Sequence, residues 1–123
     1  MRKAFTMIEL VFVVTIVALL AAVAIPKFAA TRDDAIISKG RAAVAAMRSA
    51  IAMERQKRIL KGKFDQITGD DVEGLLDYKL SDRWSQSSNT FTFTAPDDAT
   101  CDFVVQNNKL VKSDCDIEAM QDL

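Results

Sequence analysis

Hydrophobic and polar positions divide the chain into three stretches, each with its own period. From Phe5 to Ile25 apolar residues run almost unbroken, with Glu9 the one charge among 21 residues. From Pro26 to Lys61 the density falls, but Ile37, Gly40, Val44, Met47, Ile51 and Glu54 recur at spacings of three and four. Beyond Gly62 no long apolar run remains, and the clearest signal is the alternation Thr90-Phe91-Thr92-Phe93-Thr94. These periods predict a helix apolar on all sides, an amphipathic helix and a small antiparallel sheet.

As a helix, the first run reaches roughly 30 Å at ~1.5 Å per residue, about the thickness of a bilayer core. Arg2 and Lys3 ahead of it favour a cytoplasmic N-terminus and an exported C-terminus. One reading is a secretory signal peptide cut at Ala22-Val23-Ala24, which removes residues 1–24 and exports a soluble binding module. A plain membrane anchor is a second. Neither gives Glu9 a purpose. A carboxylate inside a membrane segment costs about 2.5–3.5 kcal/mol on insertion scales, so a partner for it is expected.

The second stretch is rich in Ala, which favours helix. Lys39, Arg41, Arg48, Arg55, Lys57 and Arg58 lie between its apolar positions, so one stripe is expected to be buried and the other face basic. Gly62 is a plausible C-cap, with Arg55, Lys57, Arg58 and Lys61 in the last turns, where cations suit the helix dipole. Pro26 should bend this helix or interrupt its hydrogen bonds, and Thr31-Arg32-Asp33-Asp34 is a second weak point.

In the third stretch Thr68-Gly69-Asp70-Asp71 offers N-cap residues for a short helix with Val72, Leu75 and Leu76 on one stripe. Tyr78, Leu80 and Trp84 are expected in the core. Strands are expected at Thr90–Thr94, Cys101–Gln106 and Lys109–Ser113, joined by turns at Pro96-Asp97-Asp98 and Asn107-Asn108. The result is a three-stranded antiparallel meander whose apolar face the amphipathic helix covers. Cys101 and Cys115, the only cysteines, sit near the outer ends of the second hairpin. The hairpin brings those ends together, so a disulfide is geometrically reasonable, with two free thiols as the alternative. A bridge requires an oxidising compartment, which agrees with export.

Composition sharpens this picture. With 123 residues, half of them apolar, 27% charged and a net charge of −1, the chain is neither disordered throughout nor a globally basic nucleic-acid binder. The average hides a division. Residues 1–61 carry eleven basic and four acidic side chains, a net of +7, whereas residues 62–123 carry five and thirteen, a net of −8. The absence of His excludes Ser-His-Asp and Cys-His catalysis and His-ligated metals. No nucleophile–base pair or phosphate-cradling loop is present in the sequence, so neither an enzyme nor a cofactor is expected. Asp97, Asp98, Asp114, Asp116 and Glu118 could offer oxygens to calcium, but their spacing is not a recognised loop and no turn glycine accompanies it, so no metal is expected.

Ala4-Phe5-Thr6-Met7-Ile8-Glu9-Leu10 resembles the cleavage and assembly motif of type IV pilins and of the pseudopilins of type II secretion and DNA uptake. The resemblance is strongest over residues 1–30 and extends by pattern to about residue 61. It implies a leader, residues 1–4, cut between Ala4 and Phe5, with Phe5 then N-methylated. The family usually has Gly before the cut, where this chain has the small residue Ala4. It implies that Glu9 is the assembly glutamate, paired with the Phe5 amine of a neighbouring subunit, and that Pro26 is the helix kink. The implied fold is an α+β, pilin-like ladle. Residues 5–25 form its transmembrane and polymerisation helix, residues 26–61 its amphipathic helix, and residues 62–123 a small head. The implied location is the inner membrane, single-pass, with the head in the periplasm, and then a periplasmic or extracellular filament. Implied partners are further copies and other pilin-like subunits, a prepilin peptidase, and an assembly ATPase with its inner-membrane platform protein. Small size favours the secretion or DNA-uptake branch, and the expected disulfide favours a fibre-forming pilin. The basic helix face is expected to be solvated or to oppose the head, with charge pairing between subunits as an alternative. An acidic head repels phosphates, so no direct nucleic-acid contact is expected.

Overall fold

The computed structural model describes residues 3–123; Met1 and Arg2, the start of the expected leader, lie outside the described residues. The first element is a 54-residue helix, α1 (Met7–Leu60). Pro26 lies inside it and the helix continues on both sides. It also continues through Thr31-Arg32-Asp33-Asp34, although the chain divides into two compact units after Asp34.

The unit ending at Asp34 is helix from Met7 onward, and its large apolar side chains are exposed. None of the described residues covers Val11, Phe12, Leu19 or Leu20. This segment is long and apolar enough to cross a membrane. Its one uncharged polar side chain in the apolar run beyond the first turn, Thr15, donates its hydroxyl to the Val11 carbonyl at 2.7 Å. That bond satisfies the hydroxyl without water, as a bilayer requires.

The unit Ala35–Leu123 contains the rest of α1, a short helix α2 (Gly69–Leu75), and four strands: β1 (Trp84–Ser87), β2 (Thr90–Thr94), β3 (Thr100–Gln106) and β4 (Lys109–Cys115). A single 3₁₀ turn, Glu118–Met120, follows. The class is α+β. The sheet is antiparallel in the order β1-β2-β3-β4, with four strands where three were expected. The extra strand, Trp84-Ser85-Gln86-Ser87, has one large apolar residue in four, so its alternation is weak in the sequence. It pairs with β2 through a two-residue turn whose first residue, Ser88, has φ 55°.

Val44, Met47 and Ile51 of α1 pack on Phe91 and Phe93 of β2, Cys101, Phe103 and Val105 of β3, and Leu110 of β4. Val72, Ile117 and Met120 close the ends of this core. The buried stripe of α1 is the one the period of three and four selects, and Gly40 on it faces the Phe93 ring. Leu80 and Trp84 join the core as half-buried residues, Trp84 with its ring centroid 5.1 Å from that of Phe93. Tyr78 does not: it is 54% exposed. It lies beyond the α2 C-cap, Leu76, in a stretch without regular structure, and there its hydroxyl stays in water rather than needing a buried partner.

The caps behave as their chemistry dictates. Gly62 takes φ +70°, and the Gly62 and Lys63 N–H groups donate to the Ile59 and Arg58 carbonyls at 3.0 and 2.9 Å. This is a Schellman closure, and it needs the left-handed backbone that Gly adopts freely. At α2, the Thr68 N–H donates to the Asp71 carboxylate at 2.9 Å. Asn107 and Asn108, φ 50° and 60°, form the β3–β4 turn. Asn108 also accepts the Ile67 N–H at 2.7 Å, and Asn89 accepts the Gly69 N–H at 2.8 Å. Two hairpin turns thereby hold the segment that enters α2.

Candidate functional site

Lys3–Thr6 is not helical, so the Ala4–Phe5 peptide lies in irregular, exposed backbone just before α1. Phe5 is 80% exposed. Thr6 caps the helix: its hydroxyl accepts the Glu9 N–H at 3.3 Å, and its carbonyl accepts the Leu10 N–H at 3.2 Å. Thr6-Met7-Ile8-Glu9 is therefore the N-terminal half of a capping-box pattern, and the Thr-x-x-Glu spacing is its signal in the sequence. It places the Glu9 carboxylate in the first turn, where the free N–H groups favour a negative charge. Glu9 is exposed, and makes no ion pair among the described residues. The alternative cut after Ala24 falls inside continuous helix.

The cationic side chains of α1 do two different things. Arg41 holds Asp122 through two hydrogen bonds, 2.6 and 2.8 Å, and donates to the Ala119 carbonyl. Arg48 donates to the Leu123 carbonyl at 2.7 Å. Arg58 lies 3.1 Å from Glu54 and 3.2 Å from Asp71. These three arginines tie the helix to the C-terminal segment and to α2. Lys39 and Arg55 remain exposed, and Lys57 pairs with Glu54 of its own helix, at 3.4 Å. The basic face is thus partly a set of tertiary ties, each crossing more of the chain than a sequence period can report.

These ties make acid unfolding a test. Asp71 is held below its ordinary value of 3.8 chiefly by the Thr68 N–H, with the Thr68 hydroxyl and Arg58 assisting. The Arg58 guanidinium lowers Glu54 from its ordinary 4.5, and Arg41 lowers Asp122 from 3.8. Below these ordinary values the unfolded chain binds more protons than the folded one, so acid favours unfolding. The stability these groups contribute is complete above about pH 5 and is lost as pH falls through their lowered folded values. The urea midpoint of the detergent-solubilised chain, followed by Trp84 fluorescence, should stay flat from about pH 8 to 5 and drop below about pH 4.5. A flat profile to about pH 3 would mean the ties contribute nothing.

Cys101 and Cys115 form a disulfide between β3 and β4, with Cα atoms 4.0 Å apart. Both lie within strands, since β4 runs two residues past its expected end at Ser113. Of the candidate calcium ligands, Asp97, Asp116 and Glu118 border one shallow hollow with Ile37. Among the described residues, no three acidic, His or Cys side chains converge closely enough to hold a metal ion. Trp84 packs on Phe93 and Phe103.

No family model, no curated protein and no solved structure matches the chain. What the geometry establishes is a pilin-like architecture: a long apolar N-terminal helix followed by an antiparallel four-stranded sheet closed by a disulfide. The helix is of a kind that anchors a protein in a membrane or directs its secretion.

Proposed function

We propose that this chain is a structural subunit, not an enzyme, of a type IV pilus-like filament or pseudopilus serving protein secretion or DNA uptake. A prepilin peptidase cuts it between Ala4 and Phe5, Phe5 is methylated, and an assembly ATPase with its membrane platform lifts it into the filament among other pilin-like subunits. The observation that carries this reading is Glu9, a carboxylate in the first turn of α1, whose stretch to Ile25 has no other charge and is left uncovered by the described residues. Cleavage would leave the Phe5 amine four residues away. Each charge needs a partner in an apolar surround, and a neighbouring copy supplies it. The pair sets the register in which apolar helices pack.

The accessible backbone at Ala4–Phe5 supports this cut over one after Ala24, where a protease would first have to unwind the helix. N-terminal sequencing and intact mass of the protein from its native cell test the cut: N-methylated Phe5 is expected, and a chain beginning at Ile25 would overturn the reading. Glu9→Ala should leave membrane insertion intact and lower filament yield on the order of a hundredfold, because the neighbour's amine is left unpaired. Normal assembly of that variant would sink the proposed role of Glu9.

A further inference from the structure

The unit Ala35–Leu123 is electrically polar along α1. At one end Asp97, Asp116 and Glu118 surround Ile37 in a shallow hollow, with the Asp98 carboxylate next in sequence. The nearby Arg41 is already engaged by Asp122. At the other end Arg48, Arg55 and Lys109 rim an apolar hollow floored by Ile51, Ile59 and Leu110. A second hollow sharing Arg55 and Ile59 adds Arg58, Lys63 and the exposed Phe64, against one carboxylate, Asp65. Arg55, Lys63 and Lys109 make no ion pair among the described residues, and neither do Asp97, Asp116 and Glu118. Ile37 and Arg55 are 18 residues apart on α1, about 27 Å along its axis at ~1.5 Å per residue.

We infer that the two hollows are the mating halves of one interface: the acidic hollow of one copy seats on the basic hollow of the next. Opposite charges at the two ends of one unit cannot neutralise each other at ~27 Å, beyond the screening length of about 8 Å at physiological salt. A second copy presents the complement to each. The patches differ, so the contact is heterologous, and a heterologous contact that does not close propagates as an open filament. Exposed Ile59 and Phe64 supply apolar area that the charges orient. This inference rests on the filament reading above and assigns its contacts outside the membrane.

A carbodiimide joins an amine to a carboxylate only where they touch. Applied to filaments of the full-length chain, it should link Lys63 or Lys109 to Asp97, Asp116 or Glu118. Within one copy β4 sets about 20 Å between Lys109 and Cys115, the residue before Asp116, at ~3.3 Å per residue, and Lys63 lies past the C-terminal end of α1, so such a link is intermolecular. Lys63→Glu with Lys109→Glu should cut those links and the filament yield by about tenfold or more, as should Asp116→Lys with Glu118→Lys. All four together exchange the facing charges at these positions and should recover most of the yield lost in either double variant. Trp84 fluorescence establishes that each variant is folded. Filaments that lack the links, or folded double variants that assemble as the parent does, would overturn this contact and leave the filament reading standing. A parent chain that forms no filament would overturn both.

Discussion

Phe93→Ala should cost about 3–5 kcal/mol of stability in the unit Ala35–Leu123, and in that background the effect of Gly40→Ala should change sign. Phe93 is fully buried between α1 and the sheet. A Cβ at Gly40 would stand 2.7 Å from the Phe93 Cζ and 2.9 Å from its Cε1. A buried ring has nowhere to move, so Gly40→Ala alone meets an overpacking cost of about 1–3 kcal/mol. Against this, Ala is better than Gly in a helix by roughly 0.5–1 kcal/mol. The clash wins, and the single variant is destabilised. With the ring gone, the helix term is all that remains and Gly40→Ala stabilises. Urea midpoints of the four proteins of this cycle, read by Trp84 fluorescence in detergent, give a coupling of about 1 kcal/mol or more. Additive effects, or a stabilising Gly40→Ala in the parent, would mean that the Phe93 ring leaves room for a Cβ at Gly40.

The glycine shows what a sequence can reveal and what it withholds. Gly40 falls on the apolar stripe by spacing alone, and so do Val44, Met47 and Ile51, because helix period and burial are one signal. Gly62, Thr68 and the Asn107-Asn108 turn were legible for the same reason: each answers a local need for a backbone angle or a hydrogen-bond partner. Strand β1 was not legible, since Ser85, Gln86 and Ser87 have little apolar content and pair only because β2 offers them an edge. Arg41, Arg48 and Arg58 look alike in sequence to Lys39 and Arg55. Their partners, among them Ala119, Asp122, Leu123 and Asp71, are fixed by tertiary fold rather than by spacing. At the candidate site the asymmetry runs the other way. Ala4, Phe5 and Glu9 are legible as a motif, and the same residues carry the Thr-x-x-Glu spacing behind the cap that Thr6 supplies to the Glu9 N–H.

Replacing both Cys101 and Cys115 by Ala should lower the stability of the same unit by about 3 kcal/mol, the loop-closure value for a bridge of this span. The two positions are 14 residues apart. Ala is the appropriate replacement because Cys101 is fully buried and a Ser hydroxyl there would lack a partner. The pairing depends on an irregularity in the ladder. From Gln106↔Lys109 to Phe103↔Lys112 the register is regular, and continued unchanged it would set Asp114 opposite Cys101. Between Asp102 and Phe103 it shifts by one, Ser113 being the extra residue, and Cys115 lands opposite Cys101. A bulge of this kind re-aims the side chains beyond it. It turns Cys115 toward the buried face and Asp114 away from it. Deleting Ser113 removes the bulge and the extra residue together, so the cysteines should remain opposite and the bridge should still form. Intact mass before and after reduction reads the bridge, and the urea midpoint reads its contribution. The double Ala variant should lose far more stability than the Ser113 deletion. A deletion variant that fails to form the bridge would show that the bulge, rather than the register it restores, brings the two sulfurs together.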